Sequence, residues 1–311
     1  MFDIIPDSMP LNIIYASDEK YAPLTAVAAA SAARHNRGAK VTLLGRGLGE
    51  ESVHMVQTAV ERFGGSFRHV DVEDRLGAIA STGVNPYFSY AAYARIFVPD
   101  ILAEDGGKAL YLDSDTFVLK PLDGLFTTDM GKSPLALAPD VCPEAYSRYV
   151  GLGKGETYYN TGVVLFDLAN WRRNDCTARF LREIAAPSAP NPLGDQDVIV
   201  RIFNGEIAPL GPEWNFLSQY TLLSRREEPS ILHFSGNTLG RPWFIGSRHP
   251  RRAEYRAFAD EIGLLDKVMT SREVPLVYRI EAALYALLPG FAFRPAFRAL
   301  HRLHIRLAYG V

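Results

Sequence analysis

Two aspartates, Asp113 and Asp115, follow directly on the apolar run ALYL, with Ser114 between them. Ligands of open α/β sheets bind outside the carboxyl ends of the strands, and alternate residues of an extended chain point to one side. Two like charges raise each other's pKa unless a cation compensates. A hard divalent ion compensates and can bridge the carboxylates to a diphosphate. The alternative is a simple turn, because Asp and Ser are common turn residues.

His233 is a second candidate metal ligand, within the apolar run SILHFSG. The alternative is a structural histidine of the core. Gly236 and Gly240 follow and permit close backbone approach, Arg241 matches a phosphate, and Trp243 offers an apolar face to a sugar. One imidazole beside two carboxylates favours Mn²⁺ over Mg²⁺, with Mg²⁺ as the alternative ion.

Elements that position these residues alternate between strand and helix along the chain. Small residues in the first helix suit close packing on a sheet, and strands alternating with helices predict an α/β fold with a doubly wound, mostly parallel sheet. The predicted strands are 11–16, 41–46, 66–72, 109–112, 134–139, 161–168 and 230–236, the helices are 22–35, 87–102 and 171–184, and 185–194 is a loop.

Composition indicates a folded protein with one large domain, residues 1–270, followed by a tail, residues 271–311. With a net charge of −2, the protein as a whole has no electrostatic attraction to nucleic acid. Two cysteines without metal-binding spacing indicate a reducing compartment. The stretch 1–10 lacks the basic cluster of a secretory signal, and the apolar run 282–293 is too short to span a bilayer. We expect a cytoplasmic location.

The tail predicts a basic amphipathic helix, which Pro295 opens. Its arginines recur every fourth residue beside an apolar face, a pattern typical of helices on anionic membrane surfaces. Docking on the core with solvated arginines is the alternative. The arginines are Arg294, Arg298, Arg302 and Arg306, and the apolar face is Phe297, Leu300, Leu303 and Leu307.

Seven stretches, in order over residues 11–245, resemble the retaining glycosyltransferases of family 8, the group of bacterial lipopolysaccharide galactosyl- and glucosyltransferases and glycogenin. The resemblance implies the GT-A nucleotide-diphosphosugar fold, with Asp113, Asp115 and His233 as metal ligands. The stretches are IYASDEKYA (14–22), YAAYARIFVPDIL (90–102), KALYLDSDTFVLKPL (108–122), YYNTGVVLFDLANWRR (158–173), GDQDVIVRIFNG (194–205), PEWNF (212–216) and LHFSGNTLGRPW (232–243).

The same resemblance implies roles for further residues. Asp18 would contact the uracil and Arg95 would lie beside the donor; a helix cap and a surface ion pair are the alternatives. Asn160, Asp195 and Gln196 would hold the donor sugar around its anomeric carbon; a turn for Asn160 and a helix cap for Asp195 are the alternatives. The implied donor-binding set is Asp18, Arg95, Asp113, Ser114, Asp115, Gly236 and Arg241.

One motif departs from the family pattern, which usually reads H-x-x-G-x-x-K-P-W. Here HFSGNTLGRPW places two additional residues between Gly236 and the cation, and the cation is Arg241. Arginine keeps the charge and can bind phosphate as a fork. Whether the longer loop lets Arg241 reach the diphosphate is left open by the sequence.

The implied reaction moves galactose or glucose from a UDP-sugar to a hydroxyl of a glycan or lipid-linked oligosaccharide, with Mn²⁺ and with the anomeric configuration retained. A front-face mechanism, in which the leaving phosphate takes the acceptor's proton, is favoured over a covalent role for Asp195. The alternatives are a catalytically weak nucleotide-sugar-binding protein and a nucleotidyltransferase. A nucleotidyltransferase typically carries a glycine-rich loop after its first strand. In this chain the corresponding stretch, ASDEKYAPLTAV (16–27), has no glycine.

Overall fold

The computed structural model describes residues 11–80, 90–104, 106–147, 149–186, 188, 191, 193–223 and 228–308. The N-terminal stretch 1–10 and the start of the predicted helix at 87–89 lie outside this part.

The strands are β1 (Asn12–Asp18), β2 (Lys40–Arg46), β3 (Ser66–Asp71), β4 (Lys108–Leu112), β5 (Thr116–Val118), β6 (Leu135–Pro139), β7 (Tyr159–Asp167), β8 (Ile207–Pro209), β9 (Phe216–Leu217), β10 (Ile231–His233), β11 (Phe244–Ile245) and β12 (Thr270–Glu273).

Seven strands form the central sheet in the order β3-β2-β1-β4-β7-β6-β8. All neighbours pair in parallel except β7, which runs antiparallel to β4 and β6. Alternate residues of β1 enter opposite layers: Ile13 and Tyr15 join one apolar cluster, and Ile14 and Ala16 join the other. The prediction of a doubly wound, mostly parallel sheet is confirmed.

Helices cover both faces of this sheet, and the alanine-rich α1 is buried along most of its length. The helices are α1 (Ala22–His35), α2 (Glu50–Glu61), α3 (Glu73–Ala80), α4 (Val98–Ile101), α5 (Asp123–Phe126), α6 (Pro143–Ser147), α7 (Leu168–Arg173), α8 (Cys176–Ala185), α9 (Asp195–Phe203), α10 (Ser218–Leu223), α11 (Arg252–Glu261), α12 (Leu265–Val268), α13 (Leu276–Leu287) and α14 (Gly290–Ala308), with 3₁₀ helices at Tyr90–Phe97 and Pro212–Trp214.

Two predicted helices differ in the structure. Within the predicted helix 87–102, Tyr90–Phe97 is a 3₁₀ helix followed by the short α4, which ends at Ile101. The predicted helix 171–184 is divided into α7 and α8 because Asp175, with φ of 47°, adopts the left-handed conformation between them. This conformation interrupts a right-handed helix.

A second, three-stranded sheet, β5-β10-β9, brings the predicted metal ligands together. β10 runs antiparallel to β5 and pairs His233 with Thr116, the residue after Asp115. The turn from β4 to β5 that contains both aspartates therefore lies against the end of the strand that carries His233.

The C-terminal helices pack on the core, and α14 docks through every fourth residue. Phe293, Phe297 and Ile305 are buried, whereas all four tail arginines are exposed. The prediction that Pro295 opens this helix is wrong: α14 begins at Gly290 and contains Pro295. Within the described part of the chain, every helix is too short or too polar to cross a membrane.

Candidate active site

The turn between β4 and β5 is fixed by hydrogen bonds to three other parts of the fold. The Asp113 backbone N–H donates to the Gly162 carbonyl at 2.9 Å. The Thr116 hydroxyl donates to the Asp113 carbonyl at 2.8 Å. Ser114 Oγ donates to the Ala16 carbonyl at 3.2 Å and lies 2.8 Å from the hydroxyl of Thr25. The predicted turn is thus present, and it orients the two aspartates.

Asp113, Asp115 and His233 form a compact cluster of possible metal ligands. One ligand atom from each residue lies within 4.8 Å of the others. His233 Nε2 is 3.2 Å from Asp115 Oδ1 and 3.9 Å from Asp113 Oδ2. Two carboxylates and one imidazole fit a divalent ion that accepts both oxygen and nitrogen ligands.

Arg241 reaches this cluster despite the longer loop. Its Nη1 lies 3.2 Å from Asp115 Oδ2, and its Nε donates to the Gly236 carbonyl at 2.9 Å. Burial opposes ionisation of Asp115, but His233 and Arg241 together hold the pKa of its carboxyl below the ordinary value. Burial likewise opposes the charged form of His233, and Asp115 and Asp113 overcome this and raise its pKa. The cluster is electrostatically coupled.

Asn215, which carried no predicted role, orients the His233 ring. Its Nδ2 donates to Asn160 Oδ1 at 2.9 Å, so its Oδ1 is the acceptor that lies 2.9 Å from His233 Nδ1. The proton of the neutral ring is therefore on Nδ1, and Nε2 is free to bind a metal. Gly162 makes room for the ring, since a Cβ there would lie 2.1 Å from His233 Cε1.

Arg95 is a buried residue of the site, 3% exposed, and the alternative of a surface ion pair is wrong. Its Nη2 lies 3.2 Å from Asp113 Oδ1, and its Nε lies 2.8 Å from Asp195 Oδ2. Its guanidinium carbon is 4.6 Å from the centre of the Tyr111 ring, and Nη1 donates to the Thr161 carbonyl. One cation thus links the aspartate turn to the start of α9.

Asp195 is the first residue of α9. The helix cap that was the alternative for Asp195 is Gly194 instead. The carboxyl is buried, and burial raises its pKa to about 6, against the opposing effect of Arg95. Oδ2 has no hydrogen-bond partner in the described part of the chain, because the Arg95 Nε–H donates to the Ala92 carbonyl instead. A buried carboxylate oxygen without a donor suits a ligand hydroxyl.

Gln196 and Asn160 belong to one hydrogen-bonded network with Asp140, which sequence reasoning missed. Asn160 Nδ2 donates to Asp140 Oδ2 at 3.1 Å and to Gln196 Oε1 at 3.2 Å. Gln196 Nε2 donates to Asp140 Oδ2 at 3.2 Å and to the Tyr158 hydroxyl at 3.0 Å. Burial raises the pKa of Asp140. The network fixes both amide side chains beside Asp195.

Asp18 lies at the end of β1, where its Oδ1 accepts a hydrogen bond from the Tyr21 N–H at 3.1 Å. It faces the same cleft of about 240 Å³ as most of the predicted residues, and Asn160 lines the cavity next to it. Predicted residues that line the cleft are Asp18, Arg95, Asp113, Ser114, Asp115, Asp195, Gln196, His233, Gly236 and Arg241.

The predicted sugar-facing role of Trp243 is wrong. Trp243 is 3% exposed. It packs against Phe234 and Tyr255 in an aromatic cluster beneath the loop, with ring centres 5.8 and 5.4 Å away. Its ring therefore stabilises the loop that carries Arg241.

Known proteins include relatives of this chain in both sequence and fold. The profile of glycosyl transferase family 8 matches residues 12–245. The chain is 24% identical over 267 residues to general stress protein A of Bacillus subtilis, covering 79% of this chain and 91% of that protein. It is 26% identical to the glycosyltransferase GlyF of Streptococcus pneumoniae over 243 residues, 76% of this chain but 58% of GlyF.

Among solved structures, the chain is similar to the galactosyltransferase LgtC in complex with donor and acceptor sugar analogues. The TM-score is 0.69 at 26% identity, and the match covers 86% of this chain and 99% of LgtC. The glycosyltransferase GlyE of Streptococcus pneumoniae shares the fold, with a TM-score of 0.62 at 23% identity over 84% of this chain and 63% of GlyE. The predicted GT-A fold is confirmed.

Proposed function

The chain belongs to glycosyl transferase family 8, and from that premise we propose that it transfers galactose or glucose from a UDP-sugar to a hydroxyl of a glycan or lipid-linked oligosaccharide. The observation that carries the proposal is the convergence of Asp113, Asp115 and His233 within 4.8 Å, beside the buried Asp195 Oδ2, which has an ion pair with Arg95 but no hydrogen-bond donor among the described residues. A metal–diphosphate site and a sugar-hydroxyl site are thus adjacent.

The donor's nucleotide end would be held by Asp18 and its diphosphate by Arg241. Asp113, Asp115 and His233 would hold Mn²⁺, with Mg²⁺ as the alternative ion. When bound, the ion supplies Lewis-acid stabilisation of the charge on the departing diphosphate. Asn215 orients the ring through Nδ1, so Nε2 is the nitrogen that faces the two aspartates, which supports this assignment.

The donor sugar would lie against Asp195 and Gln196. The Asp195 carboxylate, held by Arg95, accepts a hydrogen bond from a sugar hydroxyl, and Asn160 and Asp140 keep the Gln196 amide in place. In a front-face reaction the acceptor oxygen bonds to the anomeric carbon as the bond to phosphate breaks. The acceptor's proton passes to the leaving phosphate, so the configuration is retained without a protein nucleophile.

We infer further that α14 rests on an anionic membrane surface at the cytoplasmic face. Phe293, Phe297 and Ile305 are buried on the core while the arginines are exposed, so docking leaves the arginines able to contact such a surface. On this proposal residues 1–270 form the catalytic domain and residues 271–311 the attachment segment.

Release of UDP from UDP-galactose and from UDP-glucose tests the proposed function. Wild-type protein with Mn²⁺ is expected to release UDP from one of the two donors. Release should be slow when water accepts the sugar and faster when an acceptor is added. The variant Asp113→Asn/Asp115→Asn should lose this release by about 100-fold or more. The control Asp123→Asn/Asp129→Asn changes two exposed aspartates, at the start of α5 and after its end, and should retain it. No release from either donor by folded wild-type protein would contradict the proposal.

A further inference from the structure

A second cavity, of about 630 Å³, opens beside the donor cleft and shares residues with it. Gln196, Gly236 and Arg241 line both spaces. Any molecule in this cavity is therefore adjacent to the residues that face the donor sugar. The volume lies within the range of small-molecule sites in proteins.

One wall of this cavity is polar and includes the network around Gln196. Asp140, Asn160, Gln219 and Asn237 contribute to it. Glu281 of α13 also lines the cavity, and its buried Oε2 finds no hydrogen-bond partner anywhere in the described residues. Burial raises the pKa of this carboxyl to about 7. A ligand that carries hydroxyl groups would satisfy this oxygen.

The opposite wall is aliphatic and comes from α13 and α14. Ile280, Leu300 and Leu303 are each 52% exposed, and Leu307 is 71% exposed, yet all four line the cavity. Leu300, Leu303 and Leu307 lie on α14, and Ile280 lies on α13. Aliphatic side chains give no hydrogen bonds to a sugar, so this wall favours hydrocarbon.

We propose that this cavity binds an amphiphilic acceptor, with its sugar at Gln196 and its hydrocarbon chain between α13 and α14. The inference rests on the proposed glycosyl transfer and restricts its acceptor to a saccharide carried on a lipid. Two features support this occupant. The cavity that the apolar wall lines shares Gln196, Gly236 and Arg241 with the donor cleft, and the exposed arginines of α14 suit the anionic surface in which such a lipid resides.

Binding of hexyl, octyl and decyl β-D-glucosides, measured by calorimetry below their micelle concentrations, tests the proposal. Affinity for wild-type protein should rise up to about fourfold per added methylene, as expected for burial of hydrocarbon. The variant Ile280→Gln/Leu303→Gln should lose most of this dependence on chain length. The control Leu287→Gln/Phe291→Gln changes exposed apolar residues of the same two helices that lie outside the cavity, and should keep the dependence on chain length.

Titration of UDP with Mn²⁺ on the same preparations separates this proposal from the proposed function. If UDP binds but affinity for the glucosides does not depend on chain length, the cavity proposal alone is wrong. If chain length matters and UDP does not bind, the proposed function fails and the hydrocarbon site stands. A wild-type dimer that Ile280→Gln/Leu303→Gln dissociates, and the control does not, would show that a second copy covers this wall and would overturn the proposal.

Discussion

The orientation of one imidazole ring decides whether the aspartate cluster can bind a metal. Asn215 fixes the His233 ring with its proton on Nδ1. Replacing Asn215 by Leu should weaken Mn²⁺-dependent UDP binding about 10- to 100-fold, the usual effect of losing a residue that orients a metal-bound histidine. Asn215→Asp keeps the accepting oxygen and should lose much less. Equal losses in the two variants, measured by calorimetry on folded protein, would contradict the role of Asn215.

The raised pKa of Asp195 predicts a pH dependence of turnover. Its carboxyl is ionised above about pH 6 and protonated below it. Since the ionised form accepts the sugar hydroxyl, kcat/KM should fall about tenfold per pH unit below pH 6. The variant Asp195→Asn should be slower and lack this dependence. A wild-type profile without a decline between pH 7 and pH 5 would exclude an essential ionised Asp195.

Strand ends and the family resemblance together predicted that Asp113, Asp115 and His233 lie close together, but not which residues support them. Asp113 and Asp115 follow β4 and His233 ends β10, and the pairing of β10 with β5 brings these strand ends together. Asn215 and Asp140 have no such pattern, because their positions depend on how separate loops fold together. Trp243 was misassigned because sequence does not distinguish an aromatic residue of the core from one that faces a sugar.

The tail helix α14 presents one face to the core and leaves its arginines in solvent. Replacing Arg298 and Arg302 by Gln should reduce binding to vesicles containing phosphatidylserine about tenfold or more, because each basic residue near such a surface contributes about 1 kcal/mol. Neutral vesicles and high salt should abolish the difference. Undiminished binding of the variant in a sedimentation assay would show that α14 does not make this contact.

Local rules predicted most elements and failed where a single residue departs from its usual conformation. The first helix agrees with its prediction at both ends, from Ala22 to His35. Asp175 divides a predicted helix because it adopts a left-handed conformation that periodicity does not reveal. Pro295 lies inside α14, although it lacks the N–H that would donate to Phe291. Phe291 is 83% exposed, so a water molecule can donate to its carbonyl in place of that N–H.

Stability of the whole molecule should depend on pH through Glu281. Burial raises the pKa of this carboxyl from 4.5 to about 7, so the folded protein binds more protons than the unfolded chain between these values. The free energy of unfolding then falls as the pH rises from 4.5 to 7. Glu281→Gln should be more stable than wild type by about 1–3 kcal/mol at pH 8 and nearly equal at pH 4. Urea denaturation with no gain at pH 8 would contradict this.

At the scale of the molecule, strand and helix order predicted the architecture, while the second cavity was not predictable. The alternation of elements indicated a doubly wound sheet, and the structure has one. The aliphatic wall formed by Ile280 and Leu303 depends on how α13 and α14 pack beside the catalytic end of the sheet. The tail pattern identified an amphipathic helix but did not show which residues the core would cover.

The claim that Asp113, Asp115 and His233 form the metal-dependent donor site is best tested by calorimetric titration of UDP. Wild-type protein should bind UDP with Mn²⁺ and lose most of that affinity in EDTA, and Asp113→Asn/Asp115→Asn should bind weakly in both conditions. UDP binding that is equally tight in EDTA, or unchanged by loss of the two aspartates, would contradict the claim.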